Sequence, residues 1–253
     1  MDNIATFVIP TFVVNLPEDE DRLRSIKRQL NPAHFELREG VGFLGRMMPD
    51  GACLRLTRDP NSLNNKGALG VMMSHVLIWE RVARLNEAFA FVLEDDVLLQ
   101  QAERLQTIPL PPEFDLIFCG DQTARGDAAD SPTCVPAIEA LPEIEQRNVS
   151  VGAYGYLLSP AGARKLVALF AEHLYFGHVD VRMMAYCCEL GELNRLGALG
   201  SVTEELRAIR RLIDDRPKLS GYALTTPLVI HVGMASRRAR EDSVGVTGEA
   251  SAD

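Results

Sequence analysis

The chain has 253 residues, 47% hydrophobic and 24% charged, with 26 basic against 35 acidic side chains and a formal net charge of -9. These proportions are those of a globular protein and exclude wholesale disorder and a coiled-coil rod. The acidic balance argues against a nucleic-acid binder, which carries a basic footprint. The length allows one large domain or two small ones. With no internal repeat or linker, it reads as a single domain over residues 1–240 followed by a polar tail over 241–253.

The N-terminal stretch MDNIATFVIPTFVVNL is apolar but carries no Lys or Arg and is interrupted by Pro10. It lacks the positive n-region and small-residue cleavage site of a signal peptide. No apolar run reaches the length of a membrane span. Five cysteines, Cys53, Cys119, Cys134, Cys187 and Cys188, form no C-x-x-C pair. They read as incidental thiols of a reducing compartment rather than a disulfide framework or a zinc knuckle. The expectation is a cytoplasmic protein, compatible with peripheral contact at the inner face of a membrane.

Phe12-Val13-Val14 predicts a short buried strand, ended by Asn15, Leu16 and Pro17. EDEDRLRSIKRQL then predicts a helix. Its acidic start and basic end suit the macrodipole, and Leu23, Ile26 and Leu30 give it one apolar face. Strand followed by helix indicates an α/β fold. Residues 40–66 are dense in Gly, Pro and Asn and predict irregular structure. From Ala68 to about Leu85 a helix is expected, with Leu69, Met72, Val76, Trp79 and Ala83 facing the core and Trp79 serving packing alone.

AFAFVL, residues 88–93, reads as a buried strand, and Phe114–Cys119 as another. Residues 121–147 read as a loop or lid. Gly152–Leu158 predicts a strand, after which Ser159 is a good N-cap and Pro160 suits the first helical position. A helix over about 180–190 and a last strand over Leu228–Val232 complete the pattern.

The sharpest chemical signal is FVLEDDV at 91–97, a buried strand delivering three carboxylates at its end. Ligand sites of α/β sheets lie outside the carboxyl ends of strands. Alternation along an extended backbone would put Glu94 and Asp96 on one side and Asp95 on the other. Two carboxylates so placed make a seat for Mn²⁺ or Mg²⁺; a solvated acidic strand end is the rival.

VVNLPEDEDR (13–22), GALGVMMSHVLIWERV (67–82), FAFVLEDDVLL (89–99), FDLIFCG (114–120) and GAYGYLLSPAGARKLV (152–167), in this order, resemble glycosyltransferase family 25. That family contains bacterial lipooligosaccharide galactosyltransferases and collagen galactosyltransferases. The resemblance implies a nucleotide-sugar-binding A-type fold, a mixed, mainly parallel central sheet flanked by helices. It implies a metal-dependent, inverting transfer of a hexose, galactose first, from a UDP-sugar to a hydroxyl of a surface glycan such as lipooligosaccharide.

On that reading Glu94 and Asp96 hold the metal. His231, in PLVIHV, completes its shell as a late His does in related folds, unless it is a buried structural histidine. Asn15 meets uracil or ribose, or serves a turn. Arg22 contacts the nucleotide or is solvated. Asp95 faces ribose or anchors the turn. Gly67 and Gly70 let the chain pass close to the donor, and Ser74 and His75 follow one turn on, where His75 reaches the cleft or is a core histidine bonded to a carbonyl. Asp180 is the first choice of base for the acceptor hydroxyl, with an N-cap role as its rival, and Asp121 is the second. Gly155 and Tyr156 would line the acceptor side, unless Tyr156 packs with its hydroxyl at the surface, and the arginines of 207–218 and 237–240 would meet a diphosphate, an anionic acceptor or anionic lipid headgroups, or remain solvated.

One departure matters. The family usually has an acidic residue between the glycines of its G-x-x-G segment, and here that segment is Gly67-Ala68-Leu69-Gly70. A catalytically degenerate binding or scaffold protein therefore stands as the alternative. The residues leave the oligomeric state open.

Overall fold

The computed structural model describes residues 7–57, 60–124, 131–172, 178–213 and 215–232. The tail over 241–253 and the arginines of 237–240 lie outside the described residues. In chain order the elements are β1 (Ile9–Val14), α1 (Glu20–Gln29), β2 (Phe35–Val41), α2 (Asp50–Thr57), α3 (Lys66–Val82), β3 (Ala90–Glu94), β4 (Val97–Leu99), β5 (Leu116–Phe118), β6 (Cys134–Pro136), α4 (Leu141–Arg147), β7 (Gly155–Leu158), α5 (Pro160–Glu172), α6 (Val179–Tyr186), α7 (Leu190–Arg195), α8 (Ser201–Leu212), β8 (Gly221–Leu224) and β9 (Val229–His231).

Among the described residues seven strands form one sheet in the order β2-β1-β3-β7-β5-β8-β6, and β4 pairs with β9 in a separate ribbon. The expected α/β architecture is present, but the sheet is not mainly parallel. β1 runs parallel to β2 and β3, and β5 to β8. β7 is antiparallel to both β3 and β5, and β6 to β8. The reversal has a local cause. After β5 the chain leaves at the strand's carboxyl end and travels through β6 and α4. It re-enters beside its exit, where the Cys119 amide donates to the Gly155 carbonyl, so β7 must run backwards.

Both faces of the sheet are buried, as the near-continuous apolar strands demand. Phe12, Val92, Phe118 and Tyr156 enter one core with the α3 stripe Leu69, Met72, Val76 and Trp79 and with Leu166 and Phe170 of α5. Val13, Phe91, Leu93, Ile117 and Leu157 enter the other with Ile26 of α1. β1 is longer than the predicted 12–14 run. Pro10 is tolerated because the β1–β3 ladder starts only at Thr11–Phe91. The Gly162 amide donates to Ser159 Oγ at 3.0 Å, which starts α5 as its sequence predicts.

Two segments read as irregular contain structure. Residues 40–66 hold α2, and 121–147 hold β6 and α4. These helices are only one or two turns long, too short for periodicity to announce them. The Arg-rich stretch divides: Arg211, Arg216 and Lys218 are exposed, as in a solvated charge run, whereas the other two arginines turn inward. Arg207 and Arg210 of α8 are buried, and Arg207 donates to the Leu193 carbonyl at 2.7 Å and to that of Gly197.

The loop after β2 lies against α3 through glycine contacts. A Cβ on Gly45 would stand 1.8 Å from the Lys66 carbonyl oxygen, and one on Gly70 would stand 2.6 Å from Gly45 N and Phe43 O. Backbone meets backbone there, and no side chain can yield. Gly45→Ala should lower the unfolding free energy by about 1–3 kcal/mol, read by thermal or urea denaturation. Gly51→Ala, whose Cβ would meet only the far end of Arg55 at 3.6 Å, should not.

Candidate functional site

β1 and β3 are parallel neighbours, so their carboxyl ends open on the same edge of the sheet. At that edge lies an open cleft, lined among others by Asn15, Asp19, Arg22, Phe43, Arg46, Gly67, Ser74 and Asp95. Its mixture of apolar walls with a few convergent polar groups is that of a small-molecule site.

β3 ends at Glu94, and the chain then turns over Asp95-Asp96 into β4. The turn, not strand alternation, sets the carboxylates. Asp95 and Asp96 converge on one guanidinium: Arg22 Nη2 is 3.1 Å from Asp95 Oδ1 and 3.0 Å from Asp96 Oδ2. Asn15 Nδ2 donates to Asp95 Oδ2 at 2.8 Å and to the Asp19 carbonyl at 3.0 Å, tying the end of β1 to the acidic turn. Both aspartates are buried. Burial raises Asp95 from 3.8 to about 6, against the opposing pull of the Asn15 hydrogen bond and the Arg22 charge.

Asp96 goes the other way. Burial would raise it, but the hydrogen bond and charge of His231, followed by the charge of Arg22, hold it below the ordinary carboxylate range. His231 arrives through the β4–β9 ribbon, in which Val97 pairs with His231. Its Nε2 is 3.4 Å from Asp96 Oδ2, and that contact first and foremost raises its own pKa. His231 stacks on Tyr154, whose hydroxyl donates to Asp121 Oδ1 at 2.6 Å. The burial of Tyr154 and the Asp121 carboxylate both raise the phenol.

Glu94 faces a different set of groups. His75 Nε2 is 3.5 Å from Glu94 Oε1, and His75 Nδ1 is 2.9 Å from the Tyr156 hydroxyl, which also accepts from Trp79 Nε1 at 2.9 Å. Indole is donor only, so the tyrosine oxygen accepts there and has its own proton to give to Nδ1. His75 Nε2 faces Glu94 without a hydrogen bond of good geometry among the described residues. His75 and Tyr156 are fully buried and line no acceptor surface, and Trp79 does more than pack. Gly155 is buried under Val229.

The remaining candidates scatter. Gly67 lines the cleft, whereas Gly70 admits the loop backbone at Phe43 and Gly45 rather than a ligand. Ser74 Oγ donates to the Gly70 carbonyl and accepts from the Phe43 amide, both at 2.8 Å, which pins the cleft wall. Asp180 lies in the first turn of α6, behind His178 as the N-cap residue. Its Oδ2 accepts from the Gly152 amide at 2.8 Å and from the Ser150 hydroxyl, so it holds a loop. Sequence reasoning missed Tyr154 and the Gly42–Arg46 wall. The close spacing of Gly42 and Gly45 was the available signal for the wall.

Among the described residues no group of three or more His, Cys, Asp or Glu side chains is placed to hold a metal ion. Asp96 and His231 nevertheless offer an oxygen and a nitrogen on one side, and Asp96 Oδ1 is buried without a hydrogen-bond partner. Mg²⁺-type ions commonly take one or two carboxylates and draw their other ligands from water and substrate phosphates. The pair fits such an ion.

Two substitutions test these contacts. The folded-state pKa of Asp95 lies above its ordinary value of 3.8. The native state therefore holds that proton more tightly, and its stability falls as pH rises from 3.8 through about 6. Asp95→Asn cannot ionise. Between pH 4 and 7 its unfolding free energy should gain on the wild type by up to about 3 kcal/mol, followed by urea titration at each pH. Tyr156→Phe leaves Trp79 Nε1 and His75 Nδ1 unpaired in the core. It should cost about 1–3 kcal/mol in the same measurement at any pH where the protein is folded.

A model described as glycosyltransferase family 25 (LPS biosynthesis protein) matches residues 8–183. Procollagen galactosyltransferase 1-B of Xenopus laevis is 28% identical over 177 residues, covering 62% of this chain and 27% of that protein. The Bos taurus protein named probable inactive glycosyltransferase 25 family member 3 is 30% identical over 175 residues, covering 62% and 28%. Inactive glycosyltransferase 25 family member 3 of Homo sapiens is 34% identical over 110 residues, covering 41% and 18%. The matched stretch is about a quarter of the length of the first two relatives and less of the third. With the model covering well over half of its residues, this chain belongs to glycosyltransferase family 25.

Proposed function

We propose that this chain binds a UDP-sugar in the cleft at the carboxyl ends of β1 and β3. The observation that carries the reading is the position of that cleft, walled by the Gly42–Arg46 loop and α3 and reached by Asn15, Arg22 and Asp95. The mixed sheet with its ligand edge there supports an A-type nucleotide-sugar-binding fold. Arg22 and Arg46 supply positive charge for a diphosphate. Asn15 offers hydrogen-bonding capacity for base or ribose.

Two readings share this binding step. In one, the protein transfers a hexose, galactose first, with inversion to a hydroxyl of a surface glycan such as lipooligosaccharide. Mn²⁺ or Mg²⁺, held by Asp96 and His231, would then neutralise the departing diphosphate. Such work suits a cytoplasmic protein in peripheral contact with a membrane, and among the described residues no helix is long and apolar enough to cross one.

In the other reading the pocket is kept and transfer is lost, leaving a binding or scaffold module. Two observations favour this second reading. The carboxylates expected to serve as base are engaged internally, Asp180 by Ser150 and Gly152 and Asp121 by Tyr154. Proteins named inactive also match this chain at 30–36% identity. We put binding without transfer first.

Calorimetric titration of UDP and UDP-galactose into the full chain, with and without Mn²⁺, tests the shared step. Saturable binding is expected, weakened about five- to tenfold in Asn15→Ala. Absence of binding by any UDP-sugar overturns it. UDP release in the presence of glycan acceptors separates the two readings. Release at the enzyme-free background fits the binding module, and release that vanishes in Asp96→Ala restores the transferase.

A further inference from the structure

Arg22 contributes a second property to this site, and the argument rests on reading the cleft as a UDP-sugar site. Its Nη2 sits between Asp95 Oδ1 and Asp96 Oδ2 at 3.1 and 3.0 Å. The residue also lines the cleft. Its Nε and Nη2 are buried and lack a hydrogen bond of good geometry, so the guanidinium is held by charge more than by directed bonds. On Asp96 it shares one oxygen with His231, whose Nε2 is 3.4 Å away, while Asp96 Oδ1 stays unpartnered.

A divalent cation bound to Asp96 would sit about 2.0–2.2 Å from a carboxylate oxygen. That puts it against a guanidinium on the same carboxylate, with like charges at short range in a buried site. Arg22 and the metal are therefore competitors for the acidic turn. A diphosphate in the cleft changes the balance, because it offers the guanidinium a planar, bidentate partner of higher charge than one carboxylate.

We infer that Arg22 is a resident cation that competes with divalent metal for Asp95 and Asp96 and yields to it when a nucleoside diphosphate enters the cleft, so that metal and nucleotide bind cooperatively through this one side chain. The coupling is reciprocal. Whatever factor the nucleotide adds to metal affinity, the metal adds to nucleotide affinity.

The test measures Mn²⁺ binding by the loss of the free-ion electron paramagnetic resonance signal, with Mn²⁺ alone and again at saturating UDP. Arg22→Met keeps the apolar stem and removes the charge. It should bind Mn²⁺ alone at least tenfold more tightly than the wild type. UDP should tighten Mn²⁺ binding in the wild type by a larger factor than in the variant. Arg22→Lys keeps a cation on the turn and should stay within about threefold of the wild type for Mn²⁺ alone. This comparison separates charge from packing should Arg22→Met lose its fold.

Equal or weaker Mn²⁺ binding by Arg22→Met overturns the inference, as does tight Mn²⁺ binding by the wild type and Arg22→Lys alike. Should UDP fail to bind either protein, the site reading falls. The Mn²⁺-alone comparison still decides whether Arg22 competes with metal.

Discussion

Two adjacent carboxylates are buried at the turn after β3, and much of this structure follows from keeping them there. Taking one such charge out of water costs several kcal/mol unless it is paired and hydrogen-bonded. The partners come from distant parts of the chain: Asn15 from the end of β1, Arg22 from α1 and His231 from β9. Each contact links the acidic turn to a different element. Together they hold the carboxyl edge of the sheet in one arrangement and set the floor of the cleft.

The same turn divides the chemistry of the three carboxylates. Asp95 is pushed toward neutrality by its surroundings and Asp96 is kept charged by its cations, although they are neighbours in sequence. Glu94 belongs to a third environment, at the end of a buried chain of Trp79, Tyr156 and His75. That chain crosses from α3 to β7 and brings His75 Nε2 to 3.5 Å from Glu94 Oε1. A partly satisfied polar network in a core is costly, and here the Trp79–Tyr156–His75 contacts are made while His75 Nε2 has no hydrogen-bond partner among the described residues.

The parts of the fold legible in the sequence were those governed by local rules. The apolar runs of β1 and β3, the charge gradient of α1, the stripe of α3 and the Ser159-Pro160 start of α5 depend on residues within a few positions of one another. Periodicity and capping therefore reveal them. The FVLEDDV run marks the edge of the sheet where the cleft lies, but alternation misjudges its geometry because the chain bends at Asp95. The direction of β7 and the pairing of His231 with Asp96 depend on contacts across many residues, which spacing does not encode. Gly70 was identified as a close approach, but sequence gave no means of knowing that the approaching group is the Phe43–Gly45 backbone rather than a ligand.

The β4–β9 ribbon joins residues 97–99 to residues 229–231. Such a long closure is slow to form and depends on segments far apart in the order of synthesis. Ribosomes add about 5–20 residues per second, and domains generally fold as units as they emerge. Arg22 precedes the acidic turn in the order of synthesis, and His231 follows it by more than a hundred residues. Asp96 therefore gains its histidine only once β9 has paired with β4, and the chemical identity of the site depends on closure of that ribbon.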